Sequence, residues 1–384
     1  MKSNYKKIGE HIRLVDKRNP GLKVKQLLGL SISKQFIPSV ANIIGTDMEN
    51  YKIIRKNQFA CSTMQVRRDK KMPIALLNEV DEAIISAAYP VFEVTDTEKL
   101  LPEYLMMWFS RQEFDREACF YAIGGVRGSL EWEDFCEMKF PIPHPDKQKE
   151  IVKEYNTIVN RIELNNQIIQ KLEETAQAIY KQWFVDFEFP DPDGKAYKSN
   201  GGKMEFNEEL EKEIPKGWRS GCLGDLIELQ RGFDLATQHR KIGEFPIYAS
   251  TGIAEYHADY KVKGPGIVTG RSGSLGEVFY VEGNFWPLNT TLWIKNFKNA
   301  TPIFAFYVLK GINIIDYNSG SAVPTLNRNH IHLHQLEVPE ISVIENFEKI
   351  EKKIFHQLKI VTEELKLLKS FQDVLLSKLA TIEN

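Results

Sequence analysis

The chain carries one set of landmarks twice, and such a duplication restricts the fold more than any composition value does. Gly128-Ser129-Leu130, then Phe140-Pro141-Ile142-Pro143, then a long amphipathic stretch close the first half. Pro324-Thr325-Leu326, then Leu336-Glu337-Val338-Pro339, then a second amphipathic stretch close the second. From Leu130 and Leu326 onward the offset holds at 196 residues. At the front it is nearer 215, pairing Ile8-Gly9-Glu10 with Leu223-Gly224-Asp225. Matched ends with unmatched middles suggest one frame carrying two different recognition surfaces.

Positions 151, 155, 158, 162, 165, 169, 172, 176, 179 and 183 alternate steps of four and three and are mostly apolar. Shifted by 196, the stripe returns from Phe347 to Leu379. An a/d seam sustained this long in both copies is the pattern of a coiled coil. Ordinary amphipathic surface helices explain one such stripe easily, but two in the same register poorly. Asn165, inside the seam, resembles the single buried polar residue that fixes register. Each helix, at about 38 residues, would be about 57 Å long. The turn-forming segments Pro190–Gly194 and Ser199–Gly202 follow the first helix. An antiparallel pair with a globular domain at each end is therefore expected, while the linker is long enough to permit a parallel pair as well. The antiparallel form would hold the domains roughly 40–60 Å apart, slightly more than one turn of B-DNA at about 34–36 Å.

The two globular stretches, residues 7–143 and 218–339, mix strand-like and helix-like runs without a regular βαβ alternation, which points to an α+β fold in two tandem domains. With 384 residues, each half has enough chain to bury its own core. No apolar run approaches the roughly 18 residues of a membrane span, and the basic start Met1–Lys7 is not followed by an apolar stretch. Cys61, Cys119, Cys136 and Cys222 show no CxxC spacing, which fits free thiols in a reducing compartment, so a cytoplasmic location is expected.

With 50 basic and 52 acidic residues the chain has a net charge of -2, which does not by itself announce a nucleic-acid binder. The charge is patterned, however. Lys52, Arg55, Lys56, Arg67, Arg68, Lys70 and Lys71 gather in a stretch whose one acid is Asp69. A globally neutral chain can present a basic face in this way. The stretch suits contact with a DNA backbone, with Gln65 and Arg67 able to reach bases; a solvated basic loop is the plainer reading. In the second half, Pro265–Val281 reads as strand, glycine-rich turn, strand. It lacks the Gly-Lys-Ser/Thr ending and following helix of a phosphate-cradling loop. The turn is expected to expose Arg271, beside Ser272, whose planar fork can bind a phosphate or a guanine edge; a hairpin with an arbitrary arginine is equally compatible. Asn327-Arg328-Asn329-His330 follows the Pro324-Thr325-Leu326 turn, and Gly125-Val126-Arg127 holds the equivalent place in the first half. Asn and Arg read adenine and guanine in the major groove, although Asn is also a common turn residue. The candidate DNA contacts are Arg55, Lys56, Gln65, Arg67, Arg68, Lys70, Arg127, Arg231, Arg271, Ser272, Asn327, Arg328 and Asn329.

His330, His332 and His334 alternate, and would share one face of a strand, which invites a metal. The matching first-half positions are Asp134, Cys136 and Met138, so the copies do not share the set. No metal site is expected, and the histidines read as polar faces or phosphate contacts. No GxSxG, HExxH or strand-borne GxGxxG occurs, nor the Asn/Asp-Pro-Pro-Tyr/Phe segment of an adenine methyltransferase, nor an acid cluster with a lysine suited to a nuclease. No catalytic residue is assigned, and the chain reads as a binder.

Gln182-Trp183-Phe184-Val185-Asp186-Phe187-Glu188-Phe189-Pro190, Thr269–Gly276 and Ser319–Asn327 resemble the specificity subunit of type I restriction–modification enzymes, as does the order of two globular halves each closed by a long helix. The resemblance covers essentially the whole chain. It implies a first target-recognition domain at 1–145, a spacer helix at 146–187, a linker at 188–217, a second recognition domain at 218–341 and a second spacer helix at 342–384. Each domain would read one half of a bipartite, asymmetric DNA site. The helices would pair antiparallel as a pseudo-two-fold repeat, set the DNA spacer, and dock two methyltransferase (modification) subunits, which a motor-nuclease (restriction) subunit joins. The chain itself would be non-catalytic and hold no cofactor; S-adenosylmethionine, ATP and Mg would belong to the partners. The chain departs from the family pattern at the second helix start, where Val338-Pro339…Ile344-Glu345 stands in place of a regular Pro-Leu-Pro followed by Glu-Gln. The alternatives are the recognition subunit of a related enzyme that cuts on both sides of its site and, in another class, a stand-alone nuclease or methyltransferase.

Overall fold

The seam residues fold as two long helices, Pro145–Phe184 and Ile341–Lys378, of 40 and 38 residues. Proline opens the first, at a helix start, where its missing N–H has no intrahelical partner to lose. Every seam position from Ile151 to Trp183 and from Phe347 to Leu379 is buried or half-buried, Asn165 and Glu351 completely so. The computed structural model describes residues 5–39, 46–124, 128–320 and 322–382. They form two units, residues 1–166 with 363–384, and residues 167–362.

In the first unit, strands β1 (Tyr5–Lys7), β2 (Ile12–Val15), β3 (Lys52–Arg55), β4 (Gln58–Cys61), β5 (Ile74–Leu76), β6 (Glu82–Ile85), β7 (Val91–Val94) and β8 (Lys139–Pro141) frame the core. A four-stranded antiparallel sheet runs β2-β7-β4-β5, and β3 pairs with β6. Phe59 and Phe92 stand opposite across β4 and β7 with rings stacked 4.9 Å apart, a cross-strand aromatic pair of the kind that stabilises sheets. Helices α1 (Val66–Asp69), α2 (Pro102–Phe109) and α3 (Gln112–Tyr121) follow in chain order, and Phe109 and Phe114 add to that core. Gln148, wholly buried at the start of the first long helix, accepts from the Leu101 N–H at 2.9 Å and donates to the Lys99 and Pro143 carbonyls. Leu376, in the last turn of the second long helix, and Leu379, just beyond it, are buried in the same core as Phe140. Gln372 donates to the Tyr155 hydroxyl at 3.0 Å, and Arg161 grips Glu364 through Nε and Nη2 at 2.8 and 3.0 Å. As position numbers rise along one helix, those of their partners fall along the other. β1 pairs antiparallel with β8, matching Tyr5 to Pro141 and Lys7 to Lys139, and the Ile8 N–H donates to the Met138 carbonyl.

In the second unit the strands are β9 (Met204–Asn207), β10 (Lys212–Pro215), β11 (Arg219–Cys222), β12 (Ile227–Arg231), β13 (Phe245–Ala249), β14 (Gly252–His257), β15 (Gly266–Gly270), β16 (Val278–Val281), β17 (Trp286–Pro287), β18 (Thr291–Phe297) and β19 (Gln335–Val338). An antiparallel sheet runs β12-β18-β15-β16, and a mixed three-stranded sheet runs β14-β13-β17, with β13 and β17 parallel. Helices α4 (Pro302–Gly311) and α5 (Arg328–Ile331) belong to the same unit. Trp183, Phe184 and Phe347 from the two long helices pack together and against Phe304 of α4. β11 pairs antiparallel with β19, matching Ser220 to Glu337 and Cys222 to Gln335, and the Leu223 N–H donates to the His334 carbonyl.

The stretch 188–217 differs from an open linker. β9 and β10 form a hairpin, and Phe187, Phe189, Ile214 and Trp218 are buried in the second core. Phe189 lies stacked between Tyr197 at 4.6 Å and Trp218 at 5.4 Å. The proline and glycine signals mark real turns, but the aromatic residues between them have too much apolar area to stay in water.

Candidate DNA-recognition surfaces

In the second unit the glycine-rich turn and the segment around Thr325 are bonded to each other through the main chain. The Leu326 N–H donates to the Arg271 carbonyl at 2.8 Å, and the Gly273 N–H to the Pro324 carbonyl at 3.0 Å. Asn318 Oδ1 accepts from the Gly320 and Thr325 N–H groups, and the Ser319 N–H donates to the Thr325 carbonyl. A Cβ on Gly270 would lie 2.0 Å from the Ser274 carbonyl oxygen, so this turn tolerates glycine alone there. Arg271 is half-buried rather than fully exposed, because its Nε donates to the Asn289 carbonyl at 2.9 Å. The Asn289 amide donates to Asp234, which also faces Arg231 Nη2 at 3.7 Å. Arg231, Asp234, Asn289 and Arg271 thus form one connected polar row. Ser272 bridges Thr325 at the same place.

Asn327 caps α5 by accepting from the Asn329 N–H at 3.0 Å, and Arg328 reaches the Leu229 carbonyl at 3.5 Å; Arg328 and Asn329 are exposed. This cap corrects the reading of the histidines. Residues 328–331 are a helical turn and β19 begins only at Gln335, so His330, His332 and His334 share no strand face. His332 Nε2 accepts from the Leu229 N–H at 2.9 Å, beside the register shift in β12, and His334 Nδ1 bonds the Tyr317 hydroxyl at 2.6 Å. Burial lowers the pKa of both rings, and Lys298 and Arg328 lower that of His332 further. Among the described residues no group of three or more His, Cys, Asp or Glu side chains could hold a metal ion.

The first unit has a related arrangement around α1. The Leu130 N–H donates to the Thr63 carbonyl at 2.9 Å, and the Ile123 N–H to the Ser129 carbonyl at 2.9 Å. Gln65 and Lys70, both with left-handed backbone at φ 64° and 52°, bracket the helix. Such a conformation is unusual for residues with a side chain and recurs at functional sites. Arg67 donates from Nη1 to the Gly124 carbonyl at 3.3 Å, and its N–H approaches the Gly128 carbonyl.

A family model described as the type I restriction modification DNA specificity domain matches residues 41–174 and 215–375. The chain belongs to that family. Sequence-specific DNA recognition, as the specificity subunit of a type I restriction enzyme, is accordingly its function. It is 25% identical over 307 residues to the MjaIX specificity subunit of Methanocaldococcus jannaschii, covering 73% of this chain and 68% of that protein. It is 26% identical over 151 residues to the HindI specificity subunit of Haemophilus influenzae, covering 39% of this chain and 32% of that one. The fold is similar to that of the type I restriction-modification S subunit from M. genitalium, with a TM-score of 0.64 at 16% identity over 99% of this chain and 96% of that one. Among the described residues no helix of this specificity protein is long and apolar enough to cross a membrane.

The remaining candidates are scattered over the first unit. Arg55 ends β3 and Lys56 opens the turn to β4; Lys56 is exposed, and Arg55 Nε faces Glu82 at 3.6 Å. Arg68 is exposed and paired with Asp69 at 2.6 Å, Lys70 is exposed, and Gln65 is half-buried. Arg127 lies outside the described residues. The basic stretch is therefore spread over two strands, a turn and a helix, with Phe59 turned into the core. Asp234 and Asn289, which tie Arg231 to Arg271, escaped the sequence reading because 55 residues separate them. Thr63 contributes only its carbonyl, which no side-chain motif can announce.

Proposed function

We propose that each unit reads one half of a bipartite, asymmetric DNA site, the first around Gln65, Arg67, Arg68 and Lys70 and the second around Arg231, Arg271, Ser272, Asn327, Arg328 and Asn329. Arg55, Lys56 and Arg127 would add contacts in the first half-site. The observation that carries this reading is the recurrence of the same main-chain bonds in both units. Ile8 to Met138 becomes Leu223 to His334, Ile123 to Ser129 becomes Ser319 to Thr325, and Leu130 to Thr63 becomes Leu326 to Arg271. The first two follow the offsets of 215 and 196 residues. What differs is the side chains that each frame presents, as expected for two recognition surfaces on one internally repeated scaffold.

In this proposal the two long helices pair as an antiparallel coiled coil that sets the distance between half-sites and docks two modification subunits, which restriction subunits join. The Arg161–Glu364 and Tyr155–Gln372 contacts favour that direction. The chain is non-catalytic in this scheme and works in the cytoplasm. It holds no cofactor, and S-adenosylmethionine, ATP and Mg act in the partner subunits. The test is to map methylated adenines across the genome of the source strain with this gene present and deleted. A two-part motif lost on deletion is expected. A motif that persists, or a single continuous one that disappears, would overturn the reading.

A further inference from the structure

The end of α3 exposes more apolar surface than its surroundings explain. Phe120 is 80% exposed, Tyr121 41% and Ile123 71%, three large side chains within four residues. Single exposed apolar residues are ordinary, but a cluster marks an interaction surface. The Phe120 and Tyr121 rings meet edge-on at 5.4 Å, so the pair presents a defined shape.

This apolar cluster adjoins the basic helix α1. Cys119 Sγ donates to the Val66 carbonyl at 3.3 Å, which fixes the end of α3 against α1. Arg67 reaches past it to the Gly124 carbonyl; burial raises the Cys119 pKa, Asp115 adds to the rise, and the nearby Arg67 and Lys70 oppose it. Two nearby acids are already engaged, Asp69 by Arg68 at 2.6 Å and Glu113 by Arg116 at 3.0 Å. Exposed rings flanked by Arg67 and Lys70, which form no ion pair among the described residues, match a polyanion that also offers flat apolar faces. Nucleic acid has both, whereas an acidic protein surface offers the charge without the stacking faces.

Resting on the family's DNA-recognition role, we propose that Phe120 and Tyr121 form an aromatic wedge that contacts bases of the duplex read by the first unit, while Arg67 and Lys70 hold the adjoining phosphates. Apolar side chains inserted at a base step partly unstack it, and the distortion depends on which step it is. The wedge therefore contributes specificity without hydrogen bonds to base edges.

The test uses the full chain in its assembled modification complex and a duplex carrying the mapped site, with 2-aminopurine placed at successive positions of the first half-site. Wild-type complex is expected to raise the fluorescence of the probe at one step. Phe120→Ala should abolish that rise and weaken specific binding about tenfold or more, with thermal stability and subunit assembly unchanged. Phe120→Trp should restore both signals. Equal affinity and fluorescence for Phe120→Ala would overturn the wedge. Loss of subunit assembly instead would also overturn it, by making the cluster a protein-docking surface. Failure of the wild-type complex to bind the mapped duplex would count against the proposed reading of half-sites, not against the wedge alone.

Discussion

Tyr307 donates its hydroxyl to the Glu351 carboxylate at 3.4 Å within the second unit. Glu351 occupies a seam position of the second long helix and is fully buried. Burial pushes its carboxyl up to about 7, the neighbouring Glu348 adds to the rise, and the Tyr307 hydroxyl opposes it.

The contribution of Glu351 to stability should therefore fall as pH rises. Between the ordinary value of 4.5 and about 7 the folded chain keeps a proton that the unfolded chain has released. The stabilisation is complete below the lower value and gone above the upper one. Urea unfolding of wild type and Glu351→Gln from pH 4.5 to 8 should show that decline as the difference between the two, with Glu351→Gln the more stable at pH 8 by on the order of 1–3 kcal/mol. A variant with the wild-type slope would refute this.

Lengthening both long helices should change the DNA site in one respect only. One heptad inserted in each, after Asn166 and after Thr362, adds about 10 Å, or about three base pairs of B-DNA. Methylation mapping should return the same two half-sites with a longer spacer. An unchanged spacer would remove the ruler role from the helices.

Arg271→Ala should weaken specific DNA binding by about 1–3 kcal/mol and relax one position of the second half-site. The first half-site should be read as before. Titration against duplexes varied one position at a time checks both parts, and full retention of affinity and specificity would exclude Arg271 from the interface.

Gly270→Ala tests the turn itself. Its methyl group would fall 2.0 Å from the Ser274 carbonyl oxygen, backbone that cannot swing aside as a side chain could. A stability loss of about 1–3 kcal/mol is expected, together with poorer recognition of the second half-site and normal recognition of the first. Wild-type melting and binding would show that the turn can relax.

The long helices were legible because period is a local property: a four-and-three stripe needs no knowledge of what covers it, and Asn165 fell inside as anticipated. The α+β character and the hairpin around the glycine-rich turn were legible from strand and turn residues. The histidine face was misread because Asn327 caps a helical turn that alternation alone does not reveal. Turn signals outvoted Phe187, Phe189 and Tyr197 in the segment after the first helix, although their burial depends on Trp218, many residues later. The wedge at Phe120 left no signal at all, since a sequence does not say which aromatic residues stay outside.

Leu326 and Leu130 are fastened to Arg271 and Thr63 through peptide groups, which every substitution except proline preserves. An arginine and a threonine can therefore fill the same station without disturbing the joint that holds it. A protein built this way can alter its reading vocabulary by ordinary point substitution while its grammar stays fixed.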